Sequence, residues 1–179
     1  MKRPSGESSS SVMLLSRECG LIRASAKSAR AERSKLRYGL ETFTHARFSL
    51  VRGRYEWKIT GVTGSSRFTF AETAAMRAAG RISKLLLRLL QGEAPVPRAF
   101  EVALEGFNAL MGATSADEID ATEIVTVLRL LAHLGYLPHS DALEPFVGDG
   151  FSLELSARAL ASRGLLIKTI NESLQATGL

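Results

Sequence analysis

The stretch HARFSLVRGRYEWKIT (45–60) decides the fold of the N-terminal half. Ala46, Phe48 and Leu50 alternate with His45, Arg47 and Ser49; Tyr55, Trp57 and Ile59 alternate with Glu56, Lys58 and Thr60. A period of two puts one apolar and one polar face on each run, which is the pattern of a half-buried strand. Arg52-Gly53-Arg54 lies between the runs and reads as a hairpin turn. Working outward, Val12–Leu15 and Leu21–Ala26 are shorter strand candidates around a turn at Glu18-Cys19-Gly20. GVTGSS (61–66) reads as a further turn leading into a strand at Arg67–Phe70. Short strands with turns at this spacing predict a small antiparallel barrel or sandwich.

After Phe70 the period becomes helical. Ala75, Ala79, Ile82, Leu86 and Leu89 share one face of a helix that should end near Gln91-Gly92, with Thr69 and Glu72 as its capping box. A second helix carries Phe100, Ala103, Leu104, Phe107, Leu110 and Met111 inward. Ser115 and Glu118 form another capping box, before a helix with Ile124, Val127, Leu128, Leu131 and Leu134 inward and Gly135 as its C-terminal cap. Ser152 should start a last helix running through Leu155, Ala159, Leu166, Ile170 and Leu174, with Gly164 its weak point. The reading is therefore α+β: an N-terminal domain over 1–70 and an all-helical domain over 71–179.

Charge divides at the same place. Residues 1–70 hold 14 Lys/Arg against 5 Glu and no Asp, and residues 71–179 hold 9 Lys/Arg against 13 Asp/Glu. A basic half on a weakly acidic half points to a polyanion partner, with nucleic acid the usual one. No apolar run approaches the roughly 18 residues of a membrane span, and Val12–Leu15 is too short for a signal-peptide core, so a cytoplasmic protein is expected. The single cysteine, Cys19, fits a reducing compartment. It and the scattered His45, His133 and His139 give no zinc spacing, and no nucleophile–base set stands out. The expectation is a non-enzyme without metal or cofactor.

Arg23, Lys27, Arg30, Arg33, Lys35 and Arg37, with Arg47, Arg52, Arg54, Lys58 and Arg67 on the later strands, are either a solvated face or phosphate ligands; phosphate binding is favoured because between residues 19 and 55 the acids are Glu32 and Glu41 alone. Aromatic residues interleave with these cations. Phe48, Tyr55 and Trp57 could stack bases, but their alternation favours the core; Tyr38, inside the Arg-rich segment, is the better candidate for stacking. In the helical half, Arg77, Arg81, Lys84 and Arg88 recur at i, i+4, i+7 and i+11 beside an apolar face. That stripe is either a solvated helix face or one wall of a groove for an acidic, hydrophobic peptide. An RNA-binding protein and a protein adaptor with a basic docking face are the alternatives to DNA binding.

Several stretches resemble the bacterial recombination mediator RecO family: Gly6-Glu7, the strand and turn Leu15–Ile22, Ala26–Arg30 leading to Ser34–Arg37, Leu40–Phe43 and Leu50–Thr60. Leu134-Gly135-Tyr136-Leu137-Pro138 resembles the family's "LGYxP" helix end, and Ile170–Leu174 its last helix. The resemblance implies an OB-like β-barrel followed by a helical domain. It also implies binding and annealing of single- and double-stranded DNA, partnership with RecR and single-strand-binding protein, and assistance to RecA loading. The DNA contacts the resemblance implies are Arg23, Lys27, Arg30, Arg33, Lys35, Arg37, Arg52 and Arg54, and the Arg77–Arg88 stripe would receive the acidic, hydrophobic tail of single-strand-binding protein. Two departures stand out. Many members carry four zinc-binding cysteines after "LGYxP", whereas HSDALEPFVGDG (139–150) has none. Family members usually begin with one more strand, ahead of the position of Arg3, that is lacking here, which implies a barrel with an exposed edge.

Overall fold

The computed structural model describes residues 2–5 as backbone and 9–27, 34, 36–138, 140–148, 150–176 and 178. Two compact units emerge: Met1–Phe68 with Gly92–Pro95, and Thr69–Gln91 with Val96–Leu179. The return of Gly92–Pro95 to the first unit has no signal in the sequence.

The first unit is a five-stranded sheet: β1 (Lys2–Ser5), β2 (Ser9–Ser16), β3 (Gly20–Ala26), β4 (Thr44–Arg52) and β5 (Trp57–Arg67). Its order is β1-β2-β3-β5-β4. All neighbours are antiparallel except β3 and β5, which run parallel at Ala24↔Trp57 and Ser25↔Lys58. Among the described residues β4 and β1 do not pair, so the sheet is OB-like but open. Inward residues of three strands make the core: Val12, Ala24, Ala26 and Ile59 with Leu40, and with Phe48, Leu50 and Trp57 half-buried against them. Leu40 enters from a 3-10 turn at Tyr38–Leu40.

Two strand expectations need correction. GVTGSS is not a turn: β5 runs through it, and irregularities near His45/Arg47 and Ser49/Leu50 absorb the mismatch with β4. Arg67–Phe70 is therefore no separate strand; the fifth strand is β1, which pairs with β2 from Lys2↔Val12 to Ser5↔Ser9. A KRPS tetrapeptide lacks the alternation that would announce it.

The second unit comprises α1 (Thr73–Leu89), α2 (Pro97–Gly112), α3 (Ala116–His133), α4 (Glu144–Val147), α5 (Leu153–Ala161) and α6 (Arg163–Ala176). Among the described residues no helix is long and apolar enough to cross a membrane. α3 is the axis, with α1, α2, α4, α5 and α6 packed around it. Ser115 Oγ accepts from the Glu118 N–H at 3.2 Å to start α3. The Glu118 carboxylate reaches back to the Thr114 N–H at 2.7 Å, one residue earlier than in a standard capping box, and these hydrogen bonds hold its pKa below the ordinary value. At the other end Tyr136 N–H donates to Leu131 O and Gly135 N–H to Ala132 O, with Gly135 at φ 78°: a Schellman motif, as the glycine predicts.

Elsewhere the helices depart from expectation. Thr69 does not cap α1; Glu72 occupies the N-cap without a side-chain bond, and the Thr69 N–H meets Met111 Sδ. The helix begun by Ser152 breaks at Ser162, before Gly164, giving α5 and α6. α2 buries Ala99, Val102, Ala103, Gly106 and Leu110 and leaves Phe100 and Phe107 half-buried and Met111 exposed. A stripe of small residues outcompetes the large ones because it lets α2 and α3 approach closely.

In the segment after Pro138, Leu143 and Phe146 enter the helical core. Arg129 of α3, 2 % exposed, donates from Nε to Phe146 O at 3.0 Å, and its guanidinium lies 4.7 Å from the Phe151 ring centroid. A buried guanidinium thus ties α3 to the segment after Pro138.

A Cβ at Gly106 would lie 2.5 Å from Thr126 Oγ1 and 2.6 Å from its Cγ2. Thr126 is fully buried and its hydroxyl donates to Thr122 O at 2.7 Å, so it cannot yield. Gly106→Ala should destabilise the helical unit by about 1–3 kcal/mol. The check is a lower urea midpoint at unchanged slope; an unchanged midpoint would mean that the two helices part freely.

Candidate nucleic-acid interface

The alternation that buries Ile22, Ala24 and Ala26 turns Arg23 outward in β3, with Lys27 exposed just beyond the strand end. In β4 the outward set is His45, Arg47, Ser49 and Val51. The register aligns these strands: Met13 faces Arg23, Ser25 faces Lys58, and Lys58 faces Val51. Arg23, Lys58 and Arg47 therefore lie on one outer face, continued by Lys27. The described acids of this unit are Glu18, Glu41, Glu56 and Glu93. None of these four cations makes an ion pair with a described residue. In OB-type folds the outer face of strands 2–3 and the loop between strands 4 and 5 are where oligonucleotides lie.

The β4–β5 loop is residues 53–56. Gly53 N–H donates to Glu56 O at 2.9 Å, and a Cβ at Gly53 would sit 2.6 Å from that oxygen, so the turn requires glycine. Arg52, at the base of the loop, is committed within the protein. Its NH1 bonds the Glu93 carboxylate and its guanidinium lies 5.0 Å from the Trp57 ring centroid. The hydrogen bond from Arg52 is the main cause holding the Glu93 carboxyl below its ordinary range. Arg54 stays outside this arrangement, 5.2 Å from the Tyr55 ring centroid.

Tyr55 corrects the sequence reading. It is 87 % exposed, because β5 begins only at Trp57 and Tyr55 belongs to the loop. Phe48 and Trp57 do pack on the core. Tyr38 is 79 % exposed and Arg37 is exposed beside it, at the mouth of the 3-10 turn. Gly39 fixes that turn close to β5, where a Cβ would meet Val62 Cγ1 at 2.3 Å. Arg30, Arg33 and Lys35 lie outside the described residues. Arg47 and Lys58 join the basic face through strand register, the signal that places them there.

On α1, Arg77, Arg81, Lys84 and Arg88 are all exposed along one side. The stripe is not uniform. Arg81 grips the Glu123 carboxylate of α3 with two bonds, Nε to Oε1 at 2.6 Å and a second from NH2, and that hydrogen bonding raises its pKa further. Arg88 instead lines an open groove of about 700 Å³ with Leu89, Gln91, Gly135, Tyr136, Ser173 and Ala176. Cys19 is a half-buried free thiol in the β2–β3 turn, and among the described residues no three His, Cys, Asp or Glu gather to hold a metal.

An open OB-like sheet with an acid-poor outer face, in one chain with a helical unit, defines a class: an oligonucleotide-binding fold joined to a helical module. Comparison with known proteins gives the family. Residues 1–64 match the model of the recombination protein O N terminal and residues 72–142 that of its C terminal, so the chain belongs to the RecO family. It is similar to proteins named DNA repair protein RecO. That of Desulfitobacterium hafniense is 32% identical over 139 residues, covering 76% of this chain and 49% of the relative. That of Synechococcus sp. is 29% identical over 150 residues, covering 78% and 53%. That of Roseiflexus sp. is 35% identical over 121 residues, covering 66% and 42%. The chain spans about half the length of the curated relatives it matches.

The lowered pKa of Glu93 has a defined sign. A carboxyl depressed by its partner keeps its charge, and the Arg52 link, down to a pH below its ordinary 4.5, and loses both only as pH falls through the lowered value. A carboxyl-carbon NMR titration should place the Glu93 midpoint below 4.5 in the native chain and return it towards 4.5 in Arg52→Ala. Equal midpoints would show that the pair does not hold in solution.

Proposed function

We propose that this chain is a DNA-binding mediator of recombinational repair that works in the cytoplasm without catalysing a reaction. The observation that carries this reading is the outer sheet face on which Arg23, Lys27, Arg47 and Lys58 stand unpaired by described acids, continuous in sequence with Arg52–Arg54 at the hairpin. Cations at strand spacing neutralise phosphates irrespective of base sequence. Neutralising two strands at once lowers their mutual repulsion, which is how a protein without a catalytic centre can promote annealing. Arg37 and Tyr38, exposed at the 3-10 turn, would add to the contacts, and Arg30, Arg33 and Lys35 join the set by sequence alone. Arg52 serves the interface indirectly, by fixing the hairpin.

The helical unit has a separate role in this proposal. Arg88 with its groove, and Arg77 and Lys84 on the same helix, suit the acidic, hydrophobic tail of single-strand-binding protein. RecR would join the DNA-bound chain, and RecA would load on the strand so cleared. Arg81, bonded to Glu123, contributes orientation of α1 more than attraction.

The test is single-stranded DNA affinity against salt. For single strands, log K falls with log salt by about 0.7 per phosphate contact. Arg23→Ala with Lys27→Ala should weaken binding at low salt for every sequence and flatten that slope by about 1.4. A slope unchanged by the double variant would remove this face from the interface. Tighter binding to RNA of the same sequence would instead favour an RNA partner, through the 2′-hydroxyl.

A further inference from the structure

Charge neutralisation explains the sheet face but not the tip of the β4–β5 hairpin. Tyr55 is the most exposed large hydrophobic side chain among the described residues. The loop that carries it is braced. The Gly53–Glu56 hydrogen bond closes the loop, and Arg52 clamps its base through the Trp57 ring and the Glu93 carboxylate. Trp57 in turn packs on the sheet core. An aromatic ring presented on a braced loop loses little freedom when a partner binds, which is the condition for an efficient contact. The Arg54 guanidinium, 5.2 Å from the ring centroid, brings a cation to that same contact.

Resting on the DNA-binding reading above, we propose that Tyr55 is a base-stacking platform with Arg54 as its phosphate clamp, and that this tip makes the domain select single strands over duplex. The selectivity follows from geometry. An unpaired nucleotide can turn a free π-face to the tyrosine, whereas in a duplex both faces of each base are covered by neighbours. The cations of the sheet face attract either form through phosphates, so they cannot discriminate; the ring can. Stacking is tolerant of sequence because every base has a π-face. The tip therefore adds strand selection without adding base specificity.

Binding of a fluorescently labelled single-stranded oligonucleotide and of the matching duplex, at one fixed salt concentration, tests this on the full chain. Tyr55→Ala should lower single-strand affinity about 5- to 100-fold and leave duplex affinity within about twofold. Tyr55→Trp should retain single-strand affinity, and Tyr55→Leu should lose it, which separates stacking from a generic apolar contact. Because tyrosine is uncharged, the salt slope should stay that of the native chain, unlike the slope of the Arg23/Lys27 variant. The urea midpoint should not move, since the side chain lies exposed in a loop. A native chain that binds DNA equally well after Tyr55→Ala overturns the platform while leaving DNA binding intact. Equal losses on single strand and duplex overturn the selectivity. A native chain that binds neither form at low salt defeats the DNA-binding reading itself, and the platform with it.

Discussion

Two residue pairs, Ala24↔Trp57 and Ser25↔Lys58, join the sheet into one piece. Without this short parallel contact the unit would be a β1–β2–β3 meander and a separate β4–β5 hairpin, and an isolated hairpin is marginal in water. The contact sets the core and the outer face together. On the inner side it brings Ala24 and Ala26 to Trp57 and Ile59; on the outer side it puts Lys58 next to Ser25, between Arg23 and Lys27. A one-residue slip would exchange the two faces, sending arginine inward and isoleucine to water. Core packing therefore enforces the register on which the basic surface depends.

The same contact explains the long connection between β3 and β4. These strands are consecutive in the chain but lie on either side of β5 in the sheet. The link must cross from one to the other, and a tight turn cannot do so. Leu36 and Leu40 anchor the described part of that link to the core. Lys27, Arg37 and Tyr38 on it are exposed, and the sequence carries Arg30, Arg33 and Lys35 along the same connection. Topology creates the connection and charge uses it.

Much of this was legible in the sequence where one periodicity acts alone. His45–Leu50 alternates and is a strand; Ala75–Leu89 repeats every three to four residues and is a helix. Ser115, Gly135 and Ser152 each mark a helix end through a local bond that the residue type dictates. Legibility failed where a distant partner decides. The glycines and serines of 61–66 favour a turn locally, but pairing with β4 draws them into a strand, and Gly61 sits opposite Ser49. Tyr55 shares the parity of Trp57, yet the loop ends between them. In α2 the larger residues suggest one buried face, and the close approach of α3 at Thr126 selects another.

The site is legible with the same unevenness, and for the same reason. Counting charges treats every arginine as available to a ligand. Arg52 and Arg81 meet carboxylates 41 and 42 positions away, beyond any local count, and Arg129 is sealed among α2, α3 and α4. These three guanidiniums fix backbone: one the hairpin, one α1 on α3, one the segment after Pro138. A planar fork of donors suits that work, because it holds two partners at set angles where an ammonium would hold only a distance. The cations left on the sheet face, Arg23, Lys27, Arg47 and Lys58, are of both types and project from regular strands or their ends. Phosphate neutralisation asks only for charge at roughly the right spacing, so lysine serves there as well as arginine. The acids of the C-terminal half are thus partly spent on arginines that hold the structure, whereas Arg23, Lys27, Arg47 and Lys58 meet no such partner among the described residues.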